Sequence, residues 1–203
     1  HVLALRFALI VCVVIELGGG VLEPSCIDLV GLVVVSEGML GVVVEATLRL
    51  VPVPSARRVI MLGFKSMSAA IACAGQVVTD AAVTTKEVFD RQVVGVCEDF
   101  ASAGLPRDVE ALLAIELEGE VDEVAALAEE VLSNAANAAP TVQLDVADVA
   151  HIERIWQALD AAFTALGRLG TIQCVDIAVP PSRLAESMSN VGDIAAHHNL
   201  AGA

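Results

Sequence analysis

The sequence predicts an α+β fold in two parts, and three observations support this prediction. Residues 1–52 are dominated by β-branched and other apolar residues with intervening turns. The motif Pro52-Val53-Pro54-Ser55 then interrupts the pattern, as proline-rich segments do between structural elements. Beyond it, short β-like runs alternate with longer helical runs, which is typical of a sheet packed against helices. We therefore expect a β-rich unit followed by a unit of alternating strands and helices.

Three segments of the first part have the composition of β-strands, because they are rich in valine, isoleucine and leucine. The third alternates apolar Val44, Ala46 and Leu48 with Glu45 and Thr47. Since successive side chains of a strand point to opposite faces, one face of this strand is expected to pack on a core. The predicted strands of this part are residues 2–14, 32–35 and 42–51.

The second part alternates strand and helix from residue 58 to residue 198. Two serines are expected to cap helices: Ser66 precedes one helical run, and Ser182 precedes another after two prolines. The acidic residues within 118–123 are expected to stabilise a helix N-terminus through its macrodipole rather than to bind a metal. The predicted strands are residues 58–64, 85–89, 112–117, 142–144 and 171–179, and the predicted helices are residues 66–79, 90–101, 121–138, 146–169 and 182–198.

The composition limits what the protein can bind. Its 203 residues contain 11 lysines and arginines against 26 aspartates and glutamates, for a formal net charge of -15. A surface this acidic repels polyanions, so nucleic acid and anionic membrane surfaces are excluded as partners. Although 56% of the residues are apolar, no membrane span is expected. Arg6 and Glu16 interrupt the most apolar stretch, well short of the roughly 20 residues that a spanning helix needs.

The five cysteines are odd in number and form no C-x-x-C pair. This spacing argues against a disulfide framework and against a zinc site, and it favours a reducing cytoplasm as the location of the protein. Most of these cysteines are expected to be small residues of the core. No metal site is expected elsewhere. The cysteines are Cys12, Cys26, Cys73, Cys97 and Cys174.

One segment has the residues of a ligand-binding turn. Residues 35–43 have the sequence VSEGMLGVV, in which two glycines three apart bracket a turn that leads into an apolar strand. Glycine lets the backbone approach a bound group closely. Asp28-Leu29 lies upstream, and residues 45–50 downstream have the sequence EATLRL. Taken together, these motifs closely resemble the flavin-binding domain of the FAD-linked oxidases related to vanillyl-alcohol oxidase.

The resemblance extends along the rest of the chain. Motifs similar to those of the glycolate oxidase D subunit and D-lactate dehydrogenase branch of this family recur in the family's order. For this reason, the chain is identified as a member of that branch. The motifs are residues 87–91 (EVFDR), 112–119 (LLAIELEG), 155–156 (IW), 176–180 (DIAVP) and 182–184 (SRL).

The resemblance implies a fold, a domain division and a cofactor. It implies that residues 1–54 are the C-terminal part of a PCMH-type FAD-binding domain. Residues 55–203 would be most of the cap, or substrate, domain: a ferredoxin-like antiparallel sheet with helices on one face. The implied cofactor is FAD, and the implied reaction is hydride transfer to the flavin from a 2-hydroxy acid such as glycolate or D-lactate.

The chain, which begins with His1, is expected to be a fragment. The family's pyrophosphate-binding glycine loop would precede it, and the family's histidine motif would follow it. A fragment of this extent is expected to bind FAD poorly by itself, because neither the pyrophosphate nor the isoalloxazine would have all of its partners.

The resemblance also implies site residues. Residues 37–43 would line the flavin through their backbone, with Asp28 bracing that turn, and Asp176 would contribute to the active-site wall of the cap. Trp156 suits either the core or the wall of a pocket, and no catalytic residue is assigned. The expected cofactor-binding residues are Asp28, Ser36, Glu37, Gly38, Met39, Leu40, Gly41, Val42 and Val43, and the expected substrate-pocket residues are Trp156 and Asp176.

Several residues depart from the family pattern. Val35 occupies a position where the family usually has glycine, and Met39 one where it usually has threonine. Leu159 and Asp160 follow Trp156 where relatives have an arginine for the substrate carboxylate. These departures leave a second hypothesis open. The chain would then be a catalytically inactive remnant, or a module of the same fold that binds partner subunits or forms a homo-oligomer.

Overall fold

The structure is a computed structural model that describes residues 2–19, 27–77 and 81–200. The chain divides into two compact units, His1–Val53 and Pro54–Ala203. We refer to them as unit 1 and unit 2.

Unit 1 contains a three-stranded antiparallel sheet and one short helix. The sheet has the order β2-β1-β3, and the small core beside it is formed by Leu5, Phe7 and Val33. Because Leu5 and Phe7 alternate with the exposed Arg6 along their strand, only one face of the strand contributes to this core. The elements are β1 (Val2–Ala8), β2 (Val14–Gly18), α1 (Leu29–Val34) and β3 (Val42–Leu48).

The elements of unit 1 correct three of the expectations from sequence. The single strand predicted over residues 2–14 is a hairpin of β1 and β2, with Cys12 at its turn in the left-handed region (φ 59°). The strand predicted over residues 32–35 is wrong, since these residues belong to the end of α1 and its cap. Strand β3 is confirmed, but all of its residues are exposed, so the expected core-facing side is not covered within the described part of unit 1.

Unit 2 is built on a four-stranded antiparallel sheet with the order β5-β6-β4-β7. This is the order of a ferredoxin-like sheet, in which the first and third strands are central. The elements are β4 (Ala56–Phe64), α2 (Met67–Gln76), β5 (Val83–Asp90), α3 (Arg91–Ala101), β6 (Ala111–Gly119), α4 (Val121–Ala136), β7 (Val142–Val146), α5 (Val149–Asp160), α6 (Ala162–Leu166), a 3₁₀ turn (Pro181–Arg183) and α7 (Leu184–His197).

Alternating residues of β4 show that both faces of this sheet are covered. Ile60 and Leu62 pack with α2 and α4, whereas Val59 and Met61 pack with α3, α5 and α6. The α+β class and the antiparallel sheet are therefore confirmed, but the expectation of helices on one face only is corrected. Helices α2 and α4 cover the first face as in a ferredoxin-like fold, and α3, α5 and α6 add a layer on the second face. Double coverage explains why the first seven residues of β6 are all buried.

Most of the predicted elements of unit 2 are present, with three corrections. The strand predicted over residues 171–179 is absent from the structure. The helix predicted over residues 146–169 is interrupted, since β7 ends at Val146 and two helices, α5 and α6, follow. Ser66 caps α2 as expected, accepting the Ala69 N–H at 3.2 Å. Ser182 caps no helix, because it lies inside the 3₁₀ turn that precedes α7. The end of the predicted helix 66–79 lies outside the described residues.

No helix among the described residues is both long and apolar enough to cross a membrane.

Candidate functional site

The turn that connects α1 to β3 has an unusual backbone. Glu37 and Gly38 are consecutive residues in the left-handed region, with φ of 50° and 78°. The turn is closed by the Met39 N–H, which donates to the Ser36 carbonyl at 2.9 Å. The Ser36 N–H donates to the Val33 carbonyl at 3.1 Å, which fastens the turn to the end of α1. The turn therefore holds a fixed shape while most of its side chains stay exposed.

The two glycines of the turn serve different purposes. At Gly41, which has a φ of 154°, a Cβ atom would collide with the Ala8 carbonyl oxygen and the Phe7 ring. Only glycine can therefore seat the start of β3 against the end of β1. At Gly38 a Cβ atom would meet nothing within 4 Å. Gly38 is required by its positive φ, and it leaves open space above the turn.

A cavity of about 370 Å³ lies beside this turn. Its walls are mainly apolar, and the hydroxyl of buried Ser36 is already engaged, donating to the Val33 carbonyl at 2.8 Å. The cavity therefore suits an apolar group rather than a charged one. The lining residues are Phe7, Val33, Ser36, Gly38, Gly41, Val42 and Val43.

The cavity brings together part of the predicted site and adds two residues. Asp28, Glu37, Met39 and Leu40 are not among its lining residues, and Met39 points into solvent with 83% of its surface exposed. Phe7 and Val33 were missed, because the motif contains neither of them. The alternation of Leu5 and Phe7 along β1 is the signal that could have placed Phe7 on the cavity side. Five of the predicted residues line the cavity: Ser36, Gly38, Gly41, Val42 and Val43.

Asp28 acts on the turn indirectly. It is the N-cap of α1, and its Oδ1 accepts the Gly31 N–H at 2.7 Å. A Cβ atom at Gly31 would collide with this carboxylate, so the aspartate and the glycine form one local unit. Asp28 thus fixes the start of the helix whose other end carries the turn.

The predicted substrate-pocket residues lie in different settings within unit 2. Trp156 is half-buried on α5 and packs on the second face of the sheet, and its buried Nε1 atom has no hydrogen-bond partner. Asp176 is exposed. No hydrogen bond or ion pair between these two residues is seen in the described part of unit 2. Leu159 is only 3% exposed and belongs to the core, so this position of α5 faces inward.

Negative charge accumulates near the end of α5. Partial desolvation raises the pKa of the Glu87 carboxyl on β5, and the negative charge of Asp160, the last residue of α5, raises it further. The C-terminal end of a helix adds partial negative charge. The end of α5 therefore disfavours the binding of an anionic ligand.

The cysteines and the other polar groups supply no metal site among residues 2–19, 27–77 and 81–200. Cys73 and Cys97 are buried core residues, and burial raises the pKa of both thiols. Cys12 and Cys174 are exposed. Cys26 lies outside the described residues.

Comparisons with curated proteins give close matches over nearly the whole chain. The glycolate oxidase subunit GlcD of Escherichia coli (strain K12) is 31% identical over 188 residues, which is 92% of this chain and 38% of that protein. The protein of the same name from Bacillus subtilis (strain 168) is 30% identical over 177 residues, 85% of this chain and 37% of that protein. This chain thus spans well under half the length of these relatives.

Solved structures with a similar fold include an alkyldihydroxyacetonephosphate synthase. It is 17% identical with a TM-score of 0.55, and the match covers 80% of this chain and 32% of that one. The 4-ethylphenol oxidase of Gulosibacter chungangensis is 11% identical with a TM-score of 0.56, and the match covers 79% of this chain and 38% of that one. At these identities the likeness concerns the fold alone.

The family model described as "FAD linked oxidases, C-terminal domain" matches residues 53–203. This range includes the whole sheet of unit 2 and all of its helices. The resemblance inferred from the sequence motifs is confirmed by this match and by the curated relatives. The chain therefore belongs to the FAD-linked oxidase family, in the branch of glycolate oxidase subunit GlcD.

Proposed function

We propose that this chain is part of an FAD-dependent oxidoreductase that oxidises a 2-hydroxy acid such as glycolate or D-lactate. The observation that carries the proposal is the similarity to glycolate oxidase subunit GlcD over 92% of the chain. In this proposal residues 1–54 are the C-terminal part of the FAD-binding domain and residues 55–203 are most of the cap domain. The proposed location is the cytoplasm, with partner subunits because the relatives are named as subunits.

The residues of unit 1 fit part of an FAD molecule. The cavity of about 370 Å³ is at the small end of the range for ligand pockets, about 300–1,000 Å³, so it suits one portion of the cofactor. Its apolar walls suit an edge of a ring system, and the open space at Gly38 admits a group close to the backbone. We assign contact with the flavin to the backbone of residues 37–43, with Asp28 holding α1 in place.

When bound, FAD would accept a hydride from C2 of the 2-hydroxy acid while the hydroxyl proton is released, leaving a 2-oxo acid. We assign Trp156 and Asp176 to the wall of the substrate pocket. Leu159 and Asp160 donate no hydrogen bond to a carboxylate, because one is an apolar core residue and the other an anion. The substrate carboxylate must therefore bind to other groups.

The proposal is tested by flavin binding and reduction. The protein encoded by the complete reading frame that contains residues 1–203 is purified, incubated with FAD and freed of excess cofactor. We expect yellow flavin absorbance that bleaches under anaerobic conditions when glycolate or D-lactate is added. A protein that stays colourless after reconstitution would contradict the proposal. A flavoprotein that neither acid bleaches would contradict the substrate assignment alone.

A matched pair of glycine variants tests the turn itself. Gly38 and Gly104 both have positive φ, 78° and 85°, and neither would place a Cβ atom in a clash. Gly38→Ala and Gly104→Ala should therefore cost similar backbone strain, about 1–2 kcal/mol. We expect only Gly38→Ala to weaken FAD binding, by at least about tenfold, as measured by quenching of flavin fluorescence. Equal FAD affinities for the two variants would show that the turn is not part of the FAD-binding site.

A second function is favoured by the departures at Leu159, Val35 and Met39. Leu159 is buried in the core, and Val35 and Met39 are largely exposed apolar side chains beside the turn. An inactive protein of this fold would use such apolar surface to bind a partner subunit or a second copy. Light scattering coupled to size exclusion separates the two functions: a colourless oligomer supports the second, and a monomeric flavoprotein excludes it.

A further inference from the structure

The loop that follows α3 is held in place by a side chain of that helix. The Glu98 carboxylate, in the last turn of α3, accepts the Gly104 and Leu105 N–H groups, both at 2.9 Å. Ser102 and Gly104 take left-handed backbone conformations, with φ of 50° and 85°. Ala103 between them is only 3% exposed and belongs to the core on the second face of the sheet. The loop is therefore a fixed part of that core.

The same loop is bonded to the start of α5. His151 Nε2 lies 3.0 Å from the Ala103 carbonyl oxygen. Because a carbonyl oxygen only accepts, Nε2 is the ring nitrogen that carries the proton and donates. The backbone of His151 is held as well, since its N–H donates to Asp148 Oδ1 at 2.8 Å. His151 thus joins the first turn of α5 to the loop through a directional contact.

The buried contacts of α5 are otherwise apolar. Apolar packing is not directional, so it fixes the orientation of a helix less sharply than a hydrogen bond does. Among the described residues, the bond from His151 to Ala103 is the only side-chain hydrogen bond or ion pair between α5 and another element. The buried residues of α5 are Ile152, Ile155, Ala158 and Leu159.

The orientation of Trp156 depends on the placement of α5. Trp156 is half-buried and packs on the core of the second face. It lies five residues after His151, so the two residues are about 7.5 Å apart along the helix axis. Since α5 is a single helix of 12 residues, a rotation about its axis at His151 also turns the indole ring.

We propose that His151 is a positioning residue for the substrate pocket. By holding α5 to the loop, its hydrogen bond to Ala103 sets the angle at which the Trp156 ring faces the pocket. The proposal rests on the proposed function, because it uses the assignment of Trp156 to the pocket wall. In this role His151 acts on the substrate only through α5 and Trp156.

The first test measures the surroundings of Trp156 without any substrate. The protein encoded by the complete reading frame is labelled with 5-fluorotryptophan, and the fluorine resonance of residue 156 is identified by its loss in Trp156→Phe. We expect His151→Ala, which removes the donor, to shift or broaden this resonance. His151→Gln should restore the parent resonance, because its side-chain amide can donate to the same carbonyl. Gln157→Ala, at an exposed position of the same helix, should leave the resonance unchanged.

The second test measures the effect on catalysis in the FAD-loaded protein. His151→Ala should raise KM for glycolate or D-lactate by at least about fivefold and change kcat less, because the pocket wall contributes to binding. His151→Gln should restore most of the parent KM. Glu98→Ala, which releases the loop from α3, should change the resonance and KM in the same direction, and it replaces His151→Ala if that variant does not fold.

Two outcomes would overturn the proposal. The first is an unchanged Trp156 resonance in His151→Ala, because α5 would then keep its place without the hydrogen bond. The second is a changed resonance with an unchanged KM, because the movement of Trp156 would then not affect the substrate. A parent protein that oxidises neither acid would contradict the proposed function instead, and the resonance alone would then decide whether His151 positions Trp156.

Discussion

Arg57 Nη2 lies 2.6 Å from Glu116 Oε1, and Glu116 is only 7% exposed. Arg57 Nε also contacts Glu118 Oε1 at 2.9 Å, so one guanidinium on β4 pairs with two carboxylates on β6. The hydrogen bond to Glu116 is the main cause of the raised pKa of Arg57. Charge pairing is thus what allows a glutamate to lie among the apolar residues of the central strands.

Replacing Arg57 should therefore cost more than a surface ion pair would. Arg57→Met leaves the Glu116 carboxylate buried without its partner. We expect the free energy of unfolding to fall by about 2–4 kcal/mol, somewhat less than the roughly 3–5 kcal/mol for breaking a fully buried pair, because the Arg57 side chain is 29% exposed. Urea unfolding followed by Trp156 fluorescence measures it. The double variant Arg57→Met/Glu116→Leu should recover most of the loss, and a stable single variant would contradict this account.

Glu87 should make stability depend on pH. Its pKa is raised in the folded state by burial and then by Asp160, so folding favours the protonated form. The contribution of Glu87 is fully present below the unfolded-state pKa and is lost as the pH rises through the folded-state pKa. Glu87→Gln should therefore be more stable than the parent at pH 7.5 by less than about 1 kcal/mol, since the carboxyl is only partly desolvated and the side chain remains exposed.

The difference in the free energy of unfolding between Glu87→Gln and the parent should become smaller as the pH falls to 5. Urea unfolding at the two pH values gives the comparison, and the titrating groups that do not interact with Glu87 contribute equally in the two proteins. Asp160→Asn is the control, because removing its charge should lower the pKa of Glu87 and narrow the difference at pH 7.5. An identical pH dependence of stability for Glu87→Gln and the parent would show that folding does not shift the pKa of Glu87.

Asp28 should stabilise α1 through its side-chain cap. Asp28→Ala removes the acceptor of the Gly31 N–H, and loss of an N-cap costs about 1 kcal/mol. We expect amide exchange in α1 to become roughly fivefold faster. Asp28→Asn is the matched control, because asparagine caps helices equally well and should leave exchange within about twofold of the parent. Faster exchange in both variants would assign the effect to charge instead of capping.

The sequence predicted the layers of unit 2 better than the elements of unit 1. Strands β4 and β6 are long apolar runs, and helices such as α4 carry a regular apolar stripe, so their period identifies them. The segment over residues 32–35 is four apolar residues long, too short for its period to separate strand from helix. In this segment the side-chain cap at Asp28 and the packing of Val33 stabilise the helix. The β1–β2 turn has no glycine or asparagine, and Cys12 takes the positive φ instead.

The sequence motif predicted where the candidate site lies, but it did not identify all of the residues that line the cavity. The motif located the turn, since glycines are required where the backbone has a positive φ or meets another strand. It could not identify Phe7, which is 34 residues before Gly41 in the chain and meets it only through the pairing of β1 with β3. The sequence also could not predict that the described residues 171–179 form no strand, because strand composition does not say whether partner strands are present.

Gly41 should be the least replaceable residue of the turn. A Cβ atom at this position would collide with the Ala8 carbonyl oxygen and the Phe7 ring, both of which belong to the strand that pairs with β3. Gly41→Ala must therefore push β3 away from β1 or displace Phe7 from the small core, at a cost of about 1–3 kcal/mol. Amide exchange in β1 and β3 should become at least about fivefold faster. Gly19→Ala, where a Cβ atom meets nothing within 4 Å, should change exchange less than twofold. Equal effects of the two variants would show that the close approach of Gly41 to β1 does not hold the turn in place.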